Sequence, residues 1–222
     1  MGDVSSPLLV VTGLLAEGAI AAGQEIATLA GGGAIDFDAR LEAEIVRLKP
    51  RALLSFGVAG GLVGTLSVGE AVVATHACGP GWEIEADPAW AAALAQATGA
   101  RLARVAAAPA PAADVEQKRR LREATGAAVV DMETHAVAHL ARERRLPFAV
   151  LRVVSDTASE TLPGAALAGM RADGGADALA VIGALLRRPG ELPSLLRTAR
   201  SYGRAMARLR EVRAAAGSTF AR

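Results

Sequence analysis

The chain has 222 residues, 52% of them hydrophobic and 3% aromatic, and its 24 Lys and Arg against 23 Asp and Glu leave a formal net charge of +1. That length suits one α/β domain spanning 1–222 with a substantial core. The near-neutral balance gives no global argument for a nucleic-acid partner, and a lone cysteine, Cys78, excludes a disulfide framework or a CxxC site.

The start, MGDVSSPLLVVTG, lacks the basic opening and cleavage pattern of a signal peptide, so a cytoplasmic protein is expected. Leu8–Thr12 is an apolar, β-rich run that reads as a first strand, with Gly13 as its turn. LLAEGAIAAG then reads as a short helix with Glu17 near its start, where an acid suits the helix dipole. The glycines at 31–33 mark a turn. Asp36 or Asp38 can cap the next helix, whose Leu41, Ile45 and Leu48 share a face before Pro50 ends it. ALLSFGVAGGL reads as a strand followed by a glycine turn. It is not GxGxxG, so no dinucleotide site is expected, but its glycines let backbone N–H groups approach a ligand closely. The uncharged stretch 52–69 reaches the length of a membrane span, yet its five glycines make strand, turn and strand the better reading. Residues 69–78 form another strand. Asp87-Pro88 opens a helix, 101–106 is strand-like, AAAPAPAA at 106–113 is a loop, and Asp114 caps a helix containing Val115, Lys118 and Leu121.

Residues 127–159 organise the rest. AAVVD is a short strand ending in a carboxylate. Met132, Ala136, Val137, Leu140 and Ala141 recur at helical spacing, cationic residues close the helix, and Leu146-Pro147 stops it. FAVLRVV reads as a strand buried on both faces. The unit places Glu133 and Asp156 past the ends of two strands expected to be parallel, where open α/β sheets bind small ligands. An acid after a strand often only caps a helix. Here Asp131-Met132-Glu133 at one strand exit and Ser155-Asp156 at the next favour a site. His135 and His139 stand four apart on the helix, but neither an HExxH glutamate nor a third ligand is evident, so no metal is expected.

The C-terminal third begins with a turn, TLPGAAL, and an apolar helix over 177–186. Residues 187–222 hold nine Arg and two Glu, a net +7 against −6 for the remainder. Within 193–209, Arg197, Arg200, Arg204 and Arg208 recur at helical spacing, which reads as the basic face of a terminal helix.

The blocks SFGVAGGL, VVDMETHAVA and LRVVSDTAS together resemble the nucleoside phosphorylase and methylthioadenosine/S-adenosylhomocysteine nucleosidase superfamily. The short 107–114 loop and the tail LLRRPGELPSLLR look most like its hopanoid-associated phosphorylases. The resemblance implies an α/β fold with a central mixed β-sheet flanked by helices. It implies cleavage of the N-glycosidic bond of a 5′-substituted adenosine such as adenosylhopane, with release of adenine. It assigns Met132 and Glu133 to the ribose, Ser155 and Asp156 to the purine, and the backbone of Ala59, Gly60 and Gly61 to the side of base and ribose. Glu17 is the candidate for activating the nucleophile, although the family glutamate aligns next to it, at Gly18. Asp156 would hold or share a proton in a partly apolar pocket. No metal or organic cofactor is implied, and the acceptor is water or inorganic phosphate. Ser55 and Val58 stand where classical phosphorylases grip phosphate with arginine and serine, which argues against their mode of holding it. The resemblance further implies a homo-oligomer, expected as a homodimer, and a lipid-linked substrate would add a peripheral contact with an anionic inner membrane surface. A methylthioadenosine/S-adenosylhomocysteine nucleosidase and a noncatalytic nucleoside-binding module are the alternatives.

Overall fold

Along the first strand, β1 (Leu8–Thr12), every residue is buried, and successive side chains serve different cores. In the computed structural model of the chain, which describes residues 6–31, 33–171, 173–217 and 220, Leu9 and Val11 join Leu41 and Ile45 of α2 (Phe37–Leu48) and Ala136, Val137, Leu140 and Ala141 of α5 (Thr134–Arg144). Leu8 and Val10 join Trp90 and Leu94 of α3 (Pro88–Thr98) and Met206, Leu209 and Val212 of α8 (Leu192–Ala216) on the other side. Residue 32 of the expected glycine turn, the first five residues, and 218, 219, 221 and 222 of the basic segment lie outside the described residues.

β1 pairs in parallel with β2 (Ile26–Ala30) and with β3 (Ala52–Gly61). β3 pairs in parallel with β8 (Phe148–Asp156), and β8 runs antiparallel to β4 (Ala71–Gly79). β4 is parallel to β6 (Arg101–Ala107), and β6 to β7 (Val129–Asp131). β7 returns antiparallel to the end of β3. Five strands thus close on one another, with β1 and β2 continuing from β3 and β5 (Trp82–Glu85) from β4. The sheet is mixed, with helices on both faces, as expected. Two details differ from the sequence reading. β7 and β8 pair with β3 in opposite senses, so they are not two parallel strands of an open sheet. Gly60 and Gly61 belong to β3 itself and not to a turn, and Gly60 is matched with Val130 on one side and Asp156 on the other. That double pairing brings the ends of β7 and β8 together.

Local chemistry sets the helix ends. Asp87 accepts from the Trp90 N–H at 2.8 Å and caps α3, and Gly99 ends it in the left-handed conformation. Asp114 caps α4 (Val115–Thr125) in the same way. α1 (Leu15–Ala21) follows β1, and two short helices, α6 (Gly164–Ala168) and α7 (Ala178–Arg187), precede α8. Beyond α8, the Phe220 ring meets Phe56 edge-on at 5.0 Å, and the Arg213 guanidinium lies 4.1 Å over the Phe220 ring. Among the described residues no helix is long and apolar enough to cross a membrane.

Candidate active site

Glu17 lies in the first turn of α1 with only 1% of its surface exposed. Its carboxylate turns back over the helix start, where Oε2 accepts from the Leu14 N–H at 2.9 Å, while Oε1 accepts from the Val58 N–H of β3 at 2.8 Å. Gly57 makes room for it, since a Cβ there would stand 2.6 Å from the carboxylate. Burial pushes the Glu17 pKa up, against the opposing pull of Arg152 and the backbone N–H groups.

Arg152, in the middle of β8, binds this corner together. It is 1% exposed, and its Nη2 lies 2.6 Å from Asp131 Oδ2 and 3.0 Å from Glu133 Oε2 and donates to Ser55 Oγ at 2.5 Å. Burial works against its charge, but Asp131, Glu133 and Glu17 hold its pKa above the ordinary value. The two acids of Asp131-Met132-Glu133 divide the work. Asp131 accepts from both the N–H and the hydroxyl of Thr134, the first residue of α5. Glu133 faces the Arg152 and Glu17 corner, packed so closely over Gly13 that a Cβ there would come within 2.8 Å of it. Burial raises the Glu133 pKa to about 7; Arg152 opposes the rise, and the charges of Asp131 and Glu17 add to it. Met132, between the two acids, is half-buried.

Ser155 and Asp156 end β8 beside the glycine block. The Ser155 hydroxyl lies 2.7 Å from Asp156 Oδ1 and 3.2 Å from the Ala59 carbonyl, with one proton to give. A Cβ on Gly60 would stand 3.3 Å from Asp156 Oδ2, and one on Gly61 would stand 3.0 Å from the Asp156 carbonyl oxygen. The surroundings of Asp156 differ from the partly apolar pocket expected. Lys118 of α4, its side chain 1% exposed, donates to Asp156 Oδ2 at 2.5 Å and to the carbonyls of Thr157 and Glu160 at 2.7 and 2.8 Å. All three ammonium protons therefore have acceptors, and the lysine fixes the orientation of the aspartate.

The site residues named from sequence thus gather around the C-terminal half of β3: Glu17, Met132 and Glu133 at one end, Ala59, Gly60, Gly61, Ser155 and Asp156 at the other. Arg152 and Lys118 belong to no motif in the sequence. Arg152 interrupts an otherwise apolar buried strand, and Lys118 falls on the Val115 and Leu121 stripe of its helix. A charge in either place needs a buried partner. The phosphate-gripping positions are also occupied: Ser55 receives Arg152, and the Val58 N–H is taken by Glu17. A cavity of about 690 Å³ adjoins Asp156 and is bordered by Leu167, Glu191, Arg197 and Ser201. The loop before α4 is pinned along it by a bond from the Leu162 N–H to the Ala113 carbonyl at 2.8 Å. His135 and His139 pack their rings against Trp82, with centroids 5.3 and 4.8 Å away.

The sequence profile of the Phosphorylase superfamily matches residues 7–187. Among curated proteins none matches. The fold is similar to that of 5′-methylthioadenosine/S-adenosylhomocysteine nucleosidase from Helicobacter pylori bound to butyl-thio-DADMe-Immucillin-A, with a TM-score of 0.65 at 16% identity over 95% of this chain and 98% of that one. S-adenosylhomocysteine nucleosidase from Streptococcus pyogenes, in complex with 5-methylthiotubericidin, gives 0.62 at 16% over 95% and 99%. Native futalosine hydrolase of H. pylori gives 0.62 at 15% over 87% and 96%.

Proposed function

Because this chain belongs to the Phosphorylase superfamily, we propose that it cleaves the N-glycosidic bond of an adenosine-type nucleoside, with water as the acceptor. The observation that carries the reading is the buried corner in which one arginine, Arg152, is shared by Asp131 and Glu133 beside Glu17, a short way along β3 from Ser155 and Asp156. Breaking a purine N-glycosidic bond leaves positive charge on the sugar and negative charge on the base. Carboxylates on the sugar side and a proton donor on the base side match that separation.

In this mechanism Met132 packs against the ribose, and the Glu133 carboxylate accepts hydrogen bonds from its hydroxyls. Glu17 takes a proton from water as the water oxygen bonds to C1′. The C1′–N9 bond breaks, and its electron pair passes to the base. A proton from solvent, relayed through the Asp156 carboxylate that Ser155 and Lys118 orient, adds to N7 as the base leaves. The products are adenine and the free sugar, and Glu17 returns its proton to solvent. No metal or organic cofactor enters.

Water is favoured over phosphate by charge. Three carboxylates face the single guanidinium of Arg152, Ser55 is already engaged by it, and the Val58 N–H already serves Glu17. A phosphate dianion would meet net negative charge with no uncommitted cation among these groups.

The finer reading is a nucleoside carrying a lipid on its 5′ carbon, as in adenosylhopane, processed in hopanoid biosynthesis by a cytoplasmic homodimer that touches the inner membrane surface. The short 107–114 loop and the arginine-rich tail support it. The nucleosidases of similar fold favour a second reading, hydrolysis of methylthioadenosine or S-adenosylhomocysteine. Incubation with adenosine, methylthioadenosine and a 5′-alkyl adenosine, each with and without phosphate, tests the proposal. Adenine should appear without phosphate and with free sugar. Strict phosphate dependence would overturn water as the acceptor, and binding without adenine release would indicate a noncatalytic module.

A further inference from the structure

α7 has the composition of a core helix but not the position of one. Its sequence is ALAVIGALLR, and none of its ten residues is buried. Leu179 and Leu186 are 81% and 80% exposed, and Ile182, at 53%, lies between them. Spacings of three and four put these three side chains in one outward stripe. The inward side is held by Val181, which packs over Gly169 so tightly that a Cβ there would stand 2.4 Å from the valine methyl. Leu192 and Leu196, at the start of α8, are exposed as well.

The segment that carries this stripe is cationic. Residues 178–210 contain seven arginines and a single acid, Glu191. Glu191 is already engaged, by Arg188 at 3.4 Å and by the Ala165 N–H at 2.9 Å. Arg187, Arg188, Arg197, Arg200 and Arg204 are all exposed. Arg208 leaves the expected four-arginine face, because it donates to Glu211 at 2.8 Å and to the Thr98 carbonyl at 3.3 Å. The basic surface therefore lies towards α7 and the first half of α8.

We propose that α7 and the start of α8 form a docking surface for an anionic lipid bilayer. Leu179, Ile182 and Leu186 enter the boundary between headgroups and acyl chains, and the arginines meet lipid phosphates. α7 is about 15 Å long, so it lies in the plane of the interface and does not span it. A second copy of the chain is the less suitable occupant. A two-fold contact through this face would set the arginines against their own copies, with Glu191 already committed. An anionic bilayer supplies both the apolar phase and the missing negative charge. The cavity beside Asp156 has Leu167, Arg188 and Arg197 in its wall, so it adjoins the docking surface. That a lipid-linked nucleoside passes from bilayer to cavity rests on the proposed reaction; the docking does not.

Vesicle co-sedimentation tests the surface without any turnover. The wild type should pellet with phosphatidylglycerol/phosphatidylcholine vesicles, fail to pellet with phosphatidylcholine alone, and be released by salt. Leu179→Gln/Ile182→Gln/Leu186→Gln should weaken binding by about a hundredfold. Arg197→Gln/Arg200→Gln/Arg204→Gln should weaken it by about tenfold or more and remove most of the salt dependence. The α7 triple variant should still release adenine from soluble adenosine at the wild-type rate, so a failure of the proposed reaction would show separately, in the wild type. No pelleting of the wild type at low salt overturns the proposal. So does an α7 triple variant that binds vesicles normally while turning a wild-type dimer into a monomer in sedimentation, since that would assign the face to a second copy.

Discussion

Replacing Arg152 with methionine removes the one cation that Asp131, Glu133 and Glu17 share. The guanidinium is 1% exposed and makes contacts of 2.5 to 3.0 Å to Ser55, Asp131 and Glu133. Deleting one partner of such a buried pair costs about 3–5 kcal/mol, because the remaining charge stays desolvated and unpaired. For a chain of this size that is roughly 6–20 °C in Tm. The loss should depend on pH. In the wild type the Glu133 pKa is raised to about 7 by burial, and that of Glu17 is raised for the same reason. A raised carboxylate favours the folded state most when protonated, and that contribution is lost as pH rises through the folded pKa. Without Arg152 both acids should rise further. The penalty should then be largest near pH 8, where they must ionise or disrupt the corner, and smaller near pH 5, where protonation neutralises them. Urea unfolding of both proteins at the two pH values measures the difference. An equal loss at both, or a loss under about 1 kcal/mol, would refute the idea that Arg152 compensates these acids.

Three further outcomes follow from the same geometry. The acid limb of kcat/KM should lie near pH 7, well above that of an ordinary carboxylate, because Glu133 acts ionised and its pKa is about 7; a flat profile down to pH 5 in a pH–rate series would contradict this. Glu133→Gln should damage ribosides more than 2′-deoxyribosides, and equal loss on both substrates in steady-state assays would argue against the ribose contact. Lys118→Met should lower kcat by roughly 10–100-fold with little change in KM, since it orients Asp156 and does not hold substrate; Lys118→Arg should recover part of the rate, and a KM effect alone would remove the positioning role.

Residues with a fixed local signature were legible in the sequence. Glu133 and Asp156 follow strands, repeat an acid at successive exits, and carry Met132 and Ser155 as neighbours. The helix caps Asp87 and Asp114 were legible because capping is a local bond. Long-range pairing was not. The antiparallel return of β7 depends on two residue pairs, Gly60 with Val130 and Gly61 with Val129, which no periodicity encodes. Glu17 read equally well as an exposed helix acid, and only the approach of Gly57 and the Val58 N–H shows it buried. Arg152 and Lys118 carry no local signature, because each sits alone in its element and its partners lie 19 to 97 residues away in the chain. The same limit applied to the tail, where helical spacing aligned Arg208 with three exposed arginines although contacts with Glu211 and Thr98 tie it to the domain.

Single-turnover release of adenine from adenosine, followed for the wild type, Asp156→Asn and Glu17→Gln, measures whether these carboxylates carry out glycosidic cleavage. The wild type should release adenine in phosphate-free buffer. Each variant should still bind the nucleoside and lose roughly 10²–10⁴-fold in the chemical step, the usual range for a general acid or base. Near-normal rates in both variants, or a wild type that binds adenosine and releases no adenine, would contradict it.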